Sequence, residues 1–283
     1  MKASTIFKPI GAGVSPRRHM LVQTGAMLTL GVLGVSFLPA RVSAQITSTK
    51  RVALVIGNAH YHGAQLKRAV DDARQVWAAV SELGFEASLL LDATQAQMQQ
   101  AITSWVASSP DATARFFYFA GHGAQYRGRN YLIPVDAQLR SEDDLTRVAI
   151  DVNDFADRLS RFPSGVNLVV LDSCRNVLQT VAWIGPVKRG SHPGFLAMKA
   201  PKGTLIAFST APGALANDKS LYTTHLVTNL REPGLPIEAV FKRTRAAVER
   251  ATQGKQIPWE SSSLTGEFCL SVGPGGLCGS AGR

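Results

Sequence analysis

Short apolar runs that alternate with amphipathic helical patterns constrain the fold of this 283-residue chain more than any other feature. The runs are rich in β-branched and aromatic residues, which is typical of buried strands. They lie at residues 51–57, 85–91, 115–120, 166–171 and 203–209, with a hairpin arm predicted at 131–135 and a last strand at Glu267–Ser271. Apolar spacings of three and four predict helices at residues 65–83, 94–108, 151–159, 221–230 and 237–251. This alternation predicts an α/β fold with a mostly parallel sheet of about six strands and helices on both faces.

His122 and Cys174 follow two of these strands directly. Because the carboxyl ends of parallel strands meet at the same edge of a sheet, we expect the two residues to lie close together. An imidazole that faces a thiol favours the thiolate, the nucleophilic form of cysteine. The amides of Gly123 and Cys174 are then candidates for an oxyanion hole, and the flanking glycines would let the backbone approach a substrate. Taken singly, each residue is explained by a core cysteine or a structural histidine, but both together favour a catalytic dyad.

The sequence around these residues reads YFAGHGAQ at 118–125, YLIPVDA at 131–137 and LDSCRN at 171–176. These segments resemble the caspase-like cysteine peptidases, peptidase family C14, in the bacterial metacaspase or orthocaspase branch. The similarity continues downstream, so the resemblance covers about residues 50–272. It implies a caspase-type αβα sandwich and a cysteine endopeptidase with His122 and Cys174 as its dyad. The implied divisions are a large-subunit-like part (50–176), a linker (177–201), a small-subunit-like part (202–272) and a Gly-rich tail (273–283).

The resemblance also implies an acidic pocket that binds Arg or Lys of a polypeptide substrate, on the acyl side of the cleaved bond. Asp172, two residues before the cysteine, and Asp72, early in the first helix, match its carboxylates. Helical spacing places Asp72 at the border of the apolar stripe and Asp71 almost opposite. The alternative for Asp72 is a carboxylate favoured by the helix dipole, and the alternative for Asp172 is a residue that caps a loop. Ala120 replaces a serine that many metacaspases have in the pocket wall, which leaves the preference between Arg and Lys open.

The first 44 residues have the form of a secretory signal: basic residues, an apolar run and the small residues Val42-Ser43-Ala44 before Gln45. Arg17-Arg18 also resembles the twin-arginine export motif. A retained membrane anchor is the alternative, but the run is only weakly hydrophobic. Removing this leader takes away five basic residues and no acidic one, so the net charge of +10 falls to +5. We therefore predict a periplasmic or secreted protein with no stable membrane span after cleavage, and no nucleic-acid partner.

Lys188 and Arg189 lie in the predicted linker, where relatives are cut into two pieces. They are candidate self-cleavage sites, and a solvated loop is the alternative. Cys269 and Cys278 bracket a short loop, and an oxidising compartment would favour a disulfide between them. Such a pairing leaves Cys174 as the third, unpaired cysteine.

No cofactor and no metal site are predicted. Several metacaspases need calcium, and this chain has an acidic run between Asp136 and Asp157, but it lacks the spacing of an EF-hand loop. His60 and His62 have no third ligand nearby in the sequence. A catalytically silent caspase-like scaffold of the cell envelope is the alternative function, and the oligomeric state stays open.

Overall fold

The computed structural model describes residues 50–173, 195–212, 220–276 and 278–279. The chain divides into a unit of residues Met1–Gln45 and a unit of residues Ile46–Arg283, and all described residues belong to the second. The strands are β1 (Arg51–Gly57), β2 (Glu86–Leu91), β3 (Ala114–Gly121), β4 (Gly123–Tyr126), β5 (Arg129–Leu132), β6 (Ile150–Asp151), β7 (Val166–Ser173), β8 (Thr204–Phe208) and β9 (Trp259–Ser262). The helices are α1 (Ala69–Glu82), α2 (Gln95–Ala107), α3 (Leu145–Val148), α4 (Val152–Leu159), α5 (Leu221–Leu230) and α6 (Ile237–Ala251). None of the helices in these ranges is long and apolar enough to cross a membrane.

Six strands form the main sheet in the order β2-β1-β3-β7-β8-β9. The first five in this order run parallel, and β9 pairs with β8 in the antiparallel direction. The central strand β3 is buried along its whole length, which explains its continuous apolar sequence. The predicted mostly parallel sheet of six strands is confirmed.

Helices cover both faces of this sheet. One face packs against α1, α5 and α6, and the other packs against α2, α4 and residues 195–200. Alternate residues of each strand enter the two cores: Phe116 and Tyr118 point to the first, and Phe117 and Phe119 to the second. The arrangement is an αβα sandwich.

The predicted last strand at Glu267–Ser271 is wrong. The strand at that edge is β9, which pairs with β8 from Leu205↔Ser262 to Phe208↔Trp259. Within 267–271 the structure has a single isolated bridge, between Pro236 and Cys269. The segment of β9 is short and largely polar, so its pairing with a buried neighbour determines its structure rather than its own hydrophobic pattern.

Local signals determine where the first two helices begin. Thr94 caps α2, and it forms a capping box with Gln97. The first helix begins at Ala69 rather than at residue 65, because Leu66 donates its backbone N–H to the carbonyl of Ala59 and so belongs to the preceding loop.

The hairpin of β4 and β5 projects from the end of β3, and β6 adds a third strand to it. The arm predicted at 131–135 therefore starts earlier, at Arg129. Because β4 starts at Gly123, this small sheet is attached directly to the residue that follows β3.

The segment after β9, residues 264–276, runs back across the molecule; we call it the C-terminal strap. Leu270 of the strap accepts a hydrogen bond of 2.6 Å from the Arg51 guanidinium on β1. Cys269 and Cys278 are joined by a disulfide, with their Cα atoms 5.5 Å apart. Beyond it, Gly279 donates its N–H to the carbonyl of Gly234, between α5 and α6. Part of the predicted Gly-rich tail is therefore attached to the domain.

Candidate active site

The register of β3 and β7 determines which residues meet at the carboxyl edge of the sheet. Ala120 is paired with Asp172, and Gly121 with Ser173. His122 is the next residue after Gly121, and Cys174 is the next after Ser173. Cys174 lies outside the described residues. The described part of the site is therefore built from His122 and the side chains around it.

The imidazole of His122 is buried, with 1% of the residue exposed, and its Nε2 lies 2.7 Å from the carbonyl oxygen of Ala64. A carbonyl oxygen only accepts hydrogen bonds, so Nε2 carries the proton and Nδ1 is the acceptor of the neutral ring. The backbone N–H of His122 donates to the Tyr61 hydroxyl at 3.0 Å, and this hydroxyl donates to the carbonyl of Ile133, also at 3.0 Å. The two rings are 4.4 Å apart. Both the position and the tautomer of His122 thus depend on the loop after β1.

Polar contacts anchor this loop, residues 58–66. Asn58 accepts a hydrogen bond from the N–H of Ala93 at 2.9 Å. Asp92 accepts hydrogen bonds from the N–H groups of Ala59 and His60, and its other oxygen lies 2.7 Å from His60 Nδ1. Burial alone would raise the pKa of Asp92, but these hydrogen bonds outweigh it and place the pKa below its ordinary value. The ionised carboxylate of Asp92 thus holds the loop that carries the Ala64 carbonyl.

The glycines on either side of His122 are required by close packing. A Cβ on Gly121 would lie 2.6 Å from the Tyr61 hydroxyl. A Cβ on Gly123 would lie 2.2 Å from Cζ of Phe195 and 2.6 Å from Oγ of Ser173. The space beside these glycines is thus occupied by side chains of the protein and not, as the sequence predicts, by a substrate.

Asp172 is a buried carboxylate at the end of β7, with 8% of the residue exposed. Its Oδ2 accepts hydrogen bonds from the Tyr118 hydroxyl at 3.1 Å and from the Thr223 hydroxyl at 2.9 Å. The residue therefore packs against α5.

Asp72 is the second buried carboxylate, with 5% of the residue exposed. Its neighbour Asp71 has a side chain that is 55% exposed and pairs with Arg74, which is the arrangement expected from the helical spacing. Burial raises the pKa of Tyr118 well above its ordinary value, and the charges of Asp172 and Asp72 raise it further. Both carboxylates are therefore close enough to the Tyr118 hydroxyl to act on it electrostatically.

The acidic residues considered for calcium are separated by their own contacts. Asp143 pairs with Arg127, Asp151 pairs with Arg129, and Asp144 accepts hydrogen bonds from the backbone before α3. In the ranges that the structure describes, no three His, Cys, Asp or Glu residues are grouped to hold a metal ion. His60 is engaged with Asp92, as described above.

Three groups that contribute to the site could not be recognised from the sequence. The Ala64 carbonyl is a backbone group, so no residue type marks it. Tyr61 lies 61 residues along the chain from His122, which it contacts, and Thr223 lies 51 residues from Asp172.

The candidate self-cleavage residues Lys188 and Arg189 lie outside the described residues.

The domain is an αβα sandwich with a buried histidine at the end of one strand and, in the sequence, a cysteine directly after the neighbouring strand. It also has two buried carboxylates. This combination is typical of the caspase-like domains. A family model of the caspase domain, peptidase family C14, matches residues 50–269, and the chain belongs to this family. The family is one of cysteine proteases and includes inactive members. The predicted resemblance and fold class are thus confirmed.

Two relatives are similar to part of the chain. They are the mucosa-associated lymphoid tissue lymphoma translocation protein 1 of Homo sapiens and its homolog of Mus musculus. Each is 28% identical over 173 residues, which is 59% of this chain and 19% of the relative. The chain thus spans less than a fifth of the length of these relatives.

Proposed function

We propose that this protein is an exported cysteine endopeptidase of metacaspase type that hydrolyses peptide bonds after Arg or Lys. The observation that carries this proposal is the buried imidazole of His122, whose Nε2–H is held by the Ala64 carbonyl at 2.7 Å. It follows the strand that is paired with β7, and β7 ends one residue before Cys174. A cysteine nucleophile is activated by an imidazole in the tautomer that can accept its proton.

The reaction begins with a proton transfer. His122 Nδ1 accepts the proton of the Cys174 thiol, and the Ala64 carbonyl stabilises the resulting imidazolium. The thiolate attacks the scissile carbonyl carbon, and the amides of Gly123 and Cys174 bind the oxyanion that forms. Nδ1–H then protonates the leaving amine, which departs and leaves a thioester on Cys174. His122 next takes a proton from water, whose oxygen attacks the thioester and releases the acid and the thiol.

Asp72 and Asp172 bind the basic side chain in this proposal. Burying carboxylates is costly unless a cation or hydrogen bonds compensate the charge. A guanidinium or ammonium group supplies that charge, and a pair of carboxylates suits the flat fork of a guanidinium best. The influence of both charges on Tyr118 supports their convergence on one pocket.

The leader and the disulfide support export. Disulfides persist in oxidising compartments such as the periplasm, and the Cys269–Cys278 disulfide fixes part of the tail. N-terminal sequencing of the exported protein should begin at Gln45. A protein that keeps Met1 and sediments with membranes would instead be anchored.

A panel of fluorogenic peptides that end in Arg, Lys or Asp, with and without calcium, tests the activity. The exported protein should cleave the Arg and Lys peptides, while Cys174→Ala and His122→Ala should not. His62→Ala removes an exposed imidazole and should retain activity, which controls for the loss of a histidine as such. Cleavage after Asp would contradict the pocket assignment. Absence of cleavage under all these conditions would favour the silent scaffold.

Self-cleavage at Lys188 or Arg189 is a separate part of the proposal. Intact mass after incubation should show two pieces for the active protein and one for Cys174→Ala. A single unchanged mass for the active protein would contradict it.

A further inference from the structure

Three oxygen atoms from three different elements form a closed triangle beneath the candidate pocket. Asp172 Oδ2 on β7 lies 3.1 Å from the Tyr118 hydroxyl on β3 and 2.9 Å from the Thr223 hydroxyl on α5. The two hydroxyl oxygens are 2.8 Å apart. Tyr118 and Thr223 are completely buried. We call this arrangement the hydroxyl clamp.

The direction of the hydrogen bonds shows what the clamp does. Both hydroxyls donate to Oδ2 of Asp172, which accepts the two hydrogen bonds. Burial and the nearby carboxylates hold the pKa of Tyr118 well above its ordinary value, so this hydroxyl keeps its proton. Hydrogen bonds that are donated to the charged form of a carboxyl group stabilise that form. The clamp therefore favours the ionised carboxylate in one orientation.

The hydroxyl clamp is also connected to α1, the helix that carries the second carboxylate, Asp72. Ser220 caps α5 with a φ of 55°, in the left-handed region, and its hydroxyl accepts a hydrogen bond from Arg68 at 3.0 Å. The carbonyl of Arg68 in turn accepts the backbone N–H of Asp72 at 2.8 Å. The start of α5 thus contacts the start of α1, which carries Asp72, and Thr223 in its first turn holds Asp172.

We propose that Thr223 and Tyr118 are positioning residues that keep Asp172 ionised and oriented for the basic side chain of the substrate. This inference rests on the proposed function, because it concerns the same pocket. Neither residue is assigned a contact with the reacting atoms. Removing a clamp hydroxyl should therefore weaken binding of the basic side chain and leave the chemical step intact.

The variants Thr223→Val and Tyr118→Phe each remove one hydroxyl and keep the shape of the side chain. For an Arg peptide we expect KM to rise about tenfold and kcat to stay within about twofold, because hydrogen bonds to charged groups are the strong ones. Thr223→Ser restores the hydroxyl and should return KM to the wild-type value. Thr224→Val is the matched control, since Thr224 is the exposed neighbour on the same helix. Thermal melting of each variant reports whether it folds. If Thr223→Val does not fold, the test is the comparison of Tyr118→Phe, which lacks a clamp hydroxyl, with Thr223→Ser, which keeps both.

The pH profile provides a readout that a merely structural role would not change. Among the described residues, Tyr118 on β3 and Tyr222 on α5 interact electrostatically with Asp172, and Asp72 on α1 acts on Tyr118 as well. Losing a hydroxyl donor raises the pKa of Asp172, so the acid limb of kcat/KM should move to higher pH in Thr223→Val. A citrulline peptide, which has the shape of Arg without its charge, should show no such movement.

A binding measurement separates the clamp from catalysis. Benzamidine should bind to Cys174→Ala, and adding Thr223→Val should weaken it about tenfold, which is ~1.4 kcal/mol. If the wild type cleaves no peptide but benzamidine binding still depends on Thr223, the clamp stands and the proposed function fails. If Arg peptides are cleaved while KM, the acid limb and benzamidine affinity are all unchanged in Thr223→Val, the clamp is refuted and the proposed function stands. If benzamidine does not bind and no peptide is cleaved, both fail.

Discussion

The Tyr61 hydroxyl joins the backbone of His122 to that of Ile133, and its removal in Tyr61→Phe gives the most quantitative test of the site. The residue is 2% exposed, and it both accepts the N–H of His122 and donates to the carbonyl of Ile133. The N–H of His122 is left unpaired, which costs about 2 kcal/mol. The Ile133 carbonyl keeps a hydrogen bond from Asn58 at 3.3 Å, so the loss of its second hydrogen bond costs only ~1 kcal/mol. The variant no longer has to desolvate the hydroxyl, which returns ~1 kcal/mol. We therefore expect the free energy of unfolding to fall by about 2 kcal/mol.

Urea unfolding followed by tryptophan fluorescence measures this loss. For a slope of ~3 kcal/mol/M, the midpoint should fall by about 0.7 M. The control is Tyr126→Phe, which removes a hydroxyl that contacts Asp143 at the surface and should change stability by less than about 0.5 kcal/mol. Because His122 loses the hydrogen bond between its N–H and Tyr61, kcat/KM for an Arg peptide should fall by about tenfold or more. Equal midpoints for Tyr61→Phe, Tyr126→Phe and the wild type would refute the reasoning.

Three further changes test other parts of the structure. Gly123→Ala would put a Cβ 2.2 Å from an aromatic ring, so its thermal midpoint should drop by the equivalent of about 1–3 kcal/mol. The control is Gly266→Ala, whose Cβ has nothing within 4 Å and which should therefore melt like the wild type. Equal drops for the two variants would contradict this prediction. Replacing Cys269 and Cys278 by Ser should lower the free energy of unfolding by about 2–3 kcal/mol, and an unchanged urea midpoint would count against the disulfide. The lowered pKa of Asp92 stabilises the folded state above its ordinary pKa of about 3.9, and this contribution is lost as the pH falls through the lower folded-state value. The stability of Asp92→Asn should therefore fall less on acidification below about pH 5 than that of the wild type, and parallel pH curves would exclude this role.

The sequence was sufficient for the parts of the fold that its hydrophobic pattern determines. Strands β1, β3 and β7 are buried on both faces, so each is a continuous apolar run that can be recognised without a structure. The edge strand β9 is largely polar, and only its pairing with β8 identifies it. Periodicity alone also predicted which residue of Asp71 and Asp72 is buried.

His122 could be proposed from the strand pattern, because the carboxyl edge of a parallel sheet gathers the residues that follow its strands. Asp172 and Asp72 were proposed from the resemblance to the caspase-like peptidases. The Ala64 carbonyl and the Thr223 hydroxyl could not be proposed in either way. The first is a backbone group, and the second reaches the pocket through the packing of α5, which depends on long-range contacts that no local pattern encodes.

The pairing of β7 with β8 has a consequence for any cut in the segment that connects them. The two strands are adjacent and parallel from Asn167↔Thr204 to Leu171↔Phe208, so a nicked protein would consist of two fragments that share one sheet. Asp172 would belong to one fragment and Thr223 to the other, and the hydrogen bond from Arg51 to the strap would cross between them. Neither fragment alone would then recognise a basic side chain, because recognition would require the two fragments to associate through the shared sheet.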